Sequence, residues 1–100
     1  MTGASHRLVV PSNHPTFDGH FPDNPILPGA ALLDLVRDAA RLGAGWHILS
    51  FPSAKFVKPI GPGDEIVIEF EPSGGGRARF SCRRKGDIVA TGMLTFGPIP

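Results

Sequence analysis

Two side chains stand out for the chemistry they can do. One is the imidazole of His20, in a segment too rich in proline for helix or sheet; the other is the carboxyl of Asp34, set among apolar residues. Histidine titrates near neutrality, so a positioned imidazole can take or give a proton under physiological conditions. A carboxyl group walled in by apolar side chains is pushed toward its protonated form and becomes an acid. Between the two, Pro28-Gly29 opens a helical run, and the first amides of a helix have no backbone acceptor of their own. An acyl oxygen placed there meets unpaired donors at the positive end of the helix dipole. One such donor in an oxyanion site is worth roughly 10²–10³ in rate. Glycine at that point also permits close approach of a substrate to the backbone.

Each of these residues has a plainer reading. Asp34, Arg37, Asp38 and Arg41 fall at i, i+3, i+4 and i+7, so they share one stripe that a solvated helix face with ion pairs would equally explain. Asp34 and Asp38 repel one another at this spacing, and Arg37 and Arg41 are near enough in sequence to compensate. His6, His14 and His47 read as loop or strand residues, and a zinc site from His14 and His20 lacks a third spaced ligand. Gly74-Gly75-Gly76 lacks the context of a phosphate loop and reads as a hairpin connection. Cys82 alternates within a strand-like run and reads as a small buried hydrophobe. Arg77, Arg79, Arg83, Arg84 and Lys85, with Lys55 and Lys58, form either a basic docking surface for an acidic partner or an ordinary solvated face.

The elements that must position these residues follow from periodicity. Leu8-Val9-Val10 suggests a first strand within His6 to Pro11. From Ser12 to Pro28 the chain carries Pro15, Pro22, Pro25 and Pro28, and proline's fixed φ and missing donor make this an irregular loop. Ala30 to Leu42 is rich in helix formers, with Gly43 and Gly45 supplying the stop. Apolar residues cover most of that helix's circumference, which predicts that it is largely buried. The period then becomes two: Trp46 to Phe51, continued by Ala54 to Val57 past a bend at Pro52; Ile66 to Glu71; Arg77 to Arg83; and Ile88 to Phe96. Gly61-Pro62-Gly63-Asp64 and Lys85-Gly86-Asp87 are turns. Short turns between strands imply an antiparallel sheet, and one apolar helix beside such a sheet belongs across its concave face. The predicted class is α+β, in one domain over residues 1–100.

Composition narrows the function. A chain of 100 residues that is 41% hydrophobic and 19% charged is globular rather than disordered. Its net charge of +1 lacks the basic excess of a nucleic-acid binder. The single cysteine excludes an internal disulfide and a multi-cysteine zinc site. No leader segment is legible in the first residues, and the helical stretch is too interrupted by charge to span a membrane. The expected location is the cytoplasm.

Gly19-His20-Phe21-Pro22, Pro25, Pro28-Gly29 and Asp34 reproduce a spaced signature. In these residues the chain resembles the bacterial 3-hydroxyacyl-(acyl carrier protein) dehydratases. The likeness continues through Ala54-Lys55-Phe56, Pro59, Pro62-Gly63-Asp64 and Gly86-Asp87-Ile88-Val89-Ala90-Thr91-Gly92. The resemblance implies a hot-dog fold, about five antiparallel strands wrapped around one central helix. It implies elimination of water from a (3R)-3-hydroxyacyl thioester to a trans-2-enoyl thioester, with His20 as base and Asp34 as acid. It further implies substrate contacts from Phe21, Ile26, Pro28 and Gly29, with a backbone carbonyl near Ile26 orienting the imidazole. No metal or redox cofactor is implied. The substrate carrier would be acyl carrier protein or coenzyme A. The assembly would be a homodimer joined edge to edge, each site pairing His20 and Asp34 from different chains. Aspartate at 34 is like the dehydratase/isomerase branch, and Asp38 stands where relatives usually carry glutamine. A hot-dog thioesterase and a catalytically silent acyl-binding partner in a synthase complex are the competing expectations.

Overall fold

Alternation along the last three strands decides which side of the sheet becomes core. Ile66, Ile68 and Phe70 point one way, and antiparallel pairing sets Ile68 opposite Cys82, Phe70 opposite Phe80 and Ala78 opposite Leu94, all on that same face. These side chains are essentially without solvent contact. The structure, a computed structural model, describes residues 3–11 and 26–98. Its elements run β1 (Ala4–Val9), α1 (Gly29–Ala44), β2 (Trp46–Phe56), β3 (Glu65–Gly74), β4 (Arg77–Arg84) and β5 (Asp87–Pro98). The strands form one antiparallel sheet in the order β1-β3-β4-β5-β2, with α1 laid against its apolar face. This is the α+β arrangement and the helix-wrapping sheet that the sequence predicts.

The turns follow local chemistry. Arg84 pairs with Asp87 across Lys85-Gly86, both at positive φ (53° and 84°), which is the backbone a two-residue hairpin with the native twist requires. β2 is continuous from Trp46 to Phe56 rather than two pieces, and it absorbs Pro52 within the second of two register shifts against β5, between Ser50 and Ser53. Proline is tolerated because β2 is an edge strand, with β5 as its neighbour on one side.

Two expectations about α1 need correction. The helix runs through Gly43 and ends at Gly45, whose φ of 71° allows its amide to reach back to the carbonyls of Ala40 and Arg41. Gly43 stays helical because β1 packs against it: a β-carbon there would lie 3.3 Å from the Cβ of His6. Nor is α1 buried all round. Ala31, Leu32, Val36, Ala39 and Ala40 face the sheet, while Ala30, Asp34, Arg37, Asp38, Arg41 and Leu42 are exposed. A single sheet can cover only one side of a helix. Full burial of Leu32 and Val36 contributes about 1.5–3 kcal/mol each.

Two features fix the ends of the sheet relative to the helix. Trp46 stacks on Phe96 with centroids 3.9 Å apart and meets Phe70 edge-on at 5.7 Å. At the opposite end, the segment between β2 and β3 is tied down at several points. Asp64 accepts from the Gly61 amide (2.8 Å) and from Arg84 (2.8 Å). Arg84 also donates to the Pro59 carbonyl, and the Val10 amide donates to the Asp64 carbonyl.

Candidate functional site

Just before α1, the Leu27 amide donates to the Ile60 carbonyl at 2.7 Å. Pro28 stands at the N-cap with φ −61° and ψ 152°, and among the described residues no side chain caps the first turn; no acidic residue lies in it. The Leu32 amide is the first to bond back, to the Pro28 carbonyl. Beside the first turn lies a groove of about 370 Å³, bounded by Ile26, Leu27, Pro28, Gly29, Leu32 and Ile60, with Phe56, Val57, Lys58 and Pro59 on its far wall. It is mostly apolar except at Lys58, and Lys58 pairs with Asp87 at 3.8 Å. Of the sequence-predicted site residues, the structure therefore brings Ile26, Pro28 and Gly29 together at one mouth. His20 and Phe21 lie outside the described residues.

Asp34 is elsewhere. It stands on the exposed side of α1, not among the groove-lining residues, and the apolar enclosure expected around it is absent in the single chain. The reason is geometric: five residues advance about 7.5 Å along a helix and swing well around its axis. The expected compensation by arginine also takes a different form. Arg37 turns toward β2, donating to the Ile48 carbonyl at 3.1 Å with its guanidinium 5.1 Å above the ring of Phe51. Arg41 pairs loosely with Asp38 at 3.9 Å. Among the described residues the carboxylate of Asp34 makes no ion pair.

Other candidates resolve clearly. Cys82 is fully buried, and desolvation pushes its thiol up to about 12, which makes it a packing residue rather than a nucleophile. Several residues of the basic set are consumed internally: Arg83 by Glu69 (2.6 Å), Arg84 by Asp64, Lys58 by Asp87. Arg77, Arg79, Lys55 and Lys85 remain without an ion-pair partner among the described residues. No group of His, Cys, Asp and Glu among the described residues could hold a metal ion.

Sequence reasoning missed Phe56. A β-carbon on Gly29 would lie 2.8 Å from Cε2 and Cζ of that ring, so the space left by the glycine is filled by an aromatic side chain rather than kept clear. Its alternation in β2 shows an inward position, but nothing local shows that it crosses to the start of α1.

One helix held against a five-stranded antiparallel sheet, with an uncapped helix start opening on an apolar groove, defines a hot-dog domain. The chain belongs to the ApeI-like family, described as ApeI dehydratase, whose profile matches residues 2–93. It is 32% identical over 97 residues to the 3-hydroxyacyl-(acyl-carrier-protein) dehydratase FabZ of Aeromonas hydrophila, covering 86% of this chain and 58% of that protein. The chain thus spans less than two thirds of that relative's length. Among solved structures, an uncharacterised protein from Erwinia carotovora superposes with a TM-score of 0.77 at 32% identity, covering 97% of this chain and 84% of that one. The dehydratase heterocomplex ApeI:P from Xenorhabdus doucetiae also gives 0.77, at 26% identity, covering 94% and 86%.

Proposed function

We propose that this chain, as one hot-dog domain over residues 1–100, dehydrates (3R)-3-hydroxyacyl thioesters carried on acyl carrier protein, in fatty-acid or specialised lipid biosynthesis. The observation that carries the reading is the uncapped first turn at Gly29, open to an apolar groove, in a chain that matches a dehydratase family over residues 2–93. The thioester oxygen accepts from the Gly29 amide, and the groove takes the acyl part. His20 removes a proton from C2, the electron pair forms the C2–C3 double bond, and the C3–O bond breaks. Asp34 delivers a proton to the departing hydroxyl, which leaves as water. Apolar walls strengthen these interactions by lowering the local dielectric.

The working unit in this proposal is a cytoplasmic homodimer. Among the described residues β2 pairs with β5 alone, leaving its outer edge unpaired and Leu49 at 62% exposure, while α1 keeps an exposed face carrying Asp34. Such an edge is rarely left open by a soluble protein. Pairing it with a second copy would cover Asp34 and supply the enclosure it lacks in the single chain.

Incubation with a 3-hydroxyacyl thioester tests the activity. The enoyl thioester and water are expected; free acid would mark a thioesterase, and binding without either product a silent acyl-binding partner. Asp34→Asn and His20→Ala are each expected to lower turnover about 10²–10⁴-fold with circular dichroism and melting temperature unchanged. Full turnover by Asp34→Asn would remove Asp34 from the mechanism.

A further inference from the structure

The groove at the start of α1 has one wall that can move. Phe56 is the last residue of β2, in register with Ala90, and its ring lies across Gly29 close enough to exclude even a methyl group there. The main chain around it is pinned: the amides of Val57 and Lys58 both donate to the Val89 carbonyl, at 2.8 and 3.2 Å. The side chain is less enclosed than the backbone. It is 49% exposed, whereas Phe70 and Phe80, facing the same side of the sheet, are at 1% and 0%. A fixed backbone with a half-free ring leaves rotation about χ1 as the available motion, between staggered positions.

An acyl group whose oxygen is bonded to the Gly29 amide brings its carbonyl carbon and sulfur beside the atoms the ring now covers. Both cannot occupy that space. We propose that Phe56 is a gate over the first turn of α1, closed when its ring lies on Gly29 and open when it swings off Gly29 toward solvent, clear of the groove. The gate sets which acyl groups reach the Gly29 amide and how readily. The inference rests on the reading of the groove as an acyl-thioester site. A gate closed for about nine tenths of the time weakens apparent binding about tenfold, because only the open fraction is competent.

The test uses the whole chain carrying 4-fluorophenylalanine at position 56, titrated with a 3-hydroxyacyl pantetheine amide and followed by ¹⁹F NMR. The resonance is expected to move to a second position on binding. Gly29→Ala, whose methyl displaces the ring, is expected to place it there without ligand. By calorimetry, Phe56→Ala and the milder Phe56→Leu should bind the amide about tenfold more tightly than the parent. Binding with an unmoved resonance overturns the gate, as does equal or weaker affinity in both variants. If the parent turns over the thioester while those results fail, the gate alone is wrong. Should the parent neither bind nor turn over, binding that appears in Phe56→Leu sustains the gate, and its absence rejects gate and acyl site together.

Discussion

At the residue scale, the two glycines that face aromatic rings behave oppositely, and burial is the reason. Gly92 lies under Phe80 and against the Ser53 carbonyl; an added β-carbon would come within 2.6 Å of the ring, and that ring has nowhere to go. Gly92→Ala is expected to cost about 3 kcal/mol, read as a lower urea midpoint at unchanged m-value. Gly29→Ala meets a ring that is half in solvent, so the same methyl is expected to cost far less. Cys82 offers a second check on burial. Its thiol is raised above the unfolded value, so the stability it contributes is complete below about pH 9 and is lost as pH rises toward 12. A thiol reagent at pH 8 should leave it untouched in the native protein and label it fully in guanidinium; native labelling would contradict the burial.

At the element scale, the segment from Val57 to Asp64 is what presents the groove wall to α1, and Asp64 is its fastening point. Burial alone would raise that carboxyl; hydrogen bonds from the Gly61 amide and Arg84, with the charges of Arg84 and Lys85, outweigh it and hold the group below its ordinary 3.8. A depressed carboxyl contributes stability that is complete above its unfolded value and is lost as pH falls through the folded one. Asp64→Asn should therefore destabilise by about 1–2 kcal/mol near neutrality, and the gap between parent and variant should close as pH falls below about 3.8. Urea titrations from pH 7 downward decide it; a gap that does not narrow as pH falls below about 3.8 would mean the contribution is not ionic. Because the Leu27 amide hangs from the Ile60 carbonyl in this same segment, the variant should also weaken acyl binding.

At the scale of the whole molecule, the main consequence of the fold is that one sheet and one helix leave α1 half uncovered. The proposed dimer accounts for that uncovered side and for the open β2 edge together. Leu49→Lys puts a charge on this edge without touching the core, where Leu49 takes no part. It should yield a folded monomer by light scattering, with turnover lost along with the dimer. A parent protein that is monomeric and fully active would end the shared-site reading.

Much of this was legible in the residues themselves. The period of two in β3, β4 and β5 located the core face, because side-chain direction in a strand depends on its own backbone alone. The hairpin at Lys85-Gly86 and the helix after Pro28-Gly29 were legible for the same local reason, as was the spaced signature from Gly19 to Asp34. What only the tertiary structure decided are contacts between distant positions. It set the ring of Phe56 on Gly29, turned Arg37 away from Asp34 to Ile48, bound Asp64 to Arg84, and left one side of α1 bare. Such contacts depend on strand order and on which helix face meets the sheet. Those are properties of packing, where many residues compete for one space, and no local pattern encodes the winner.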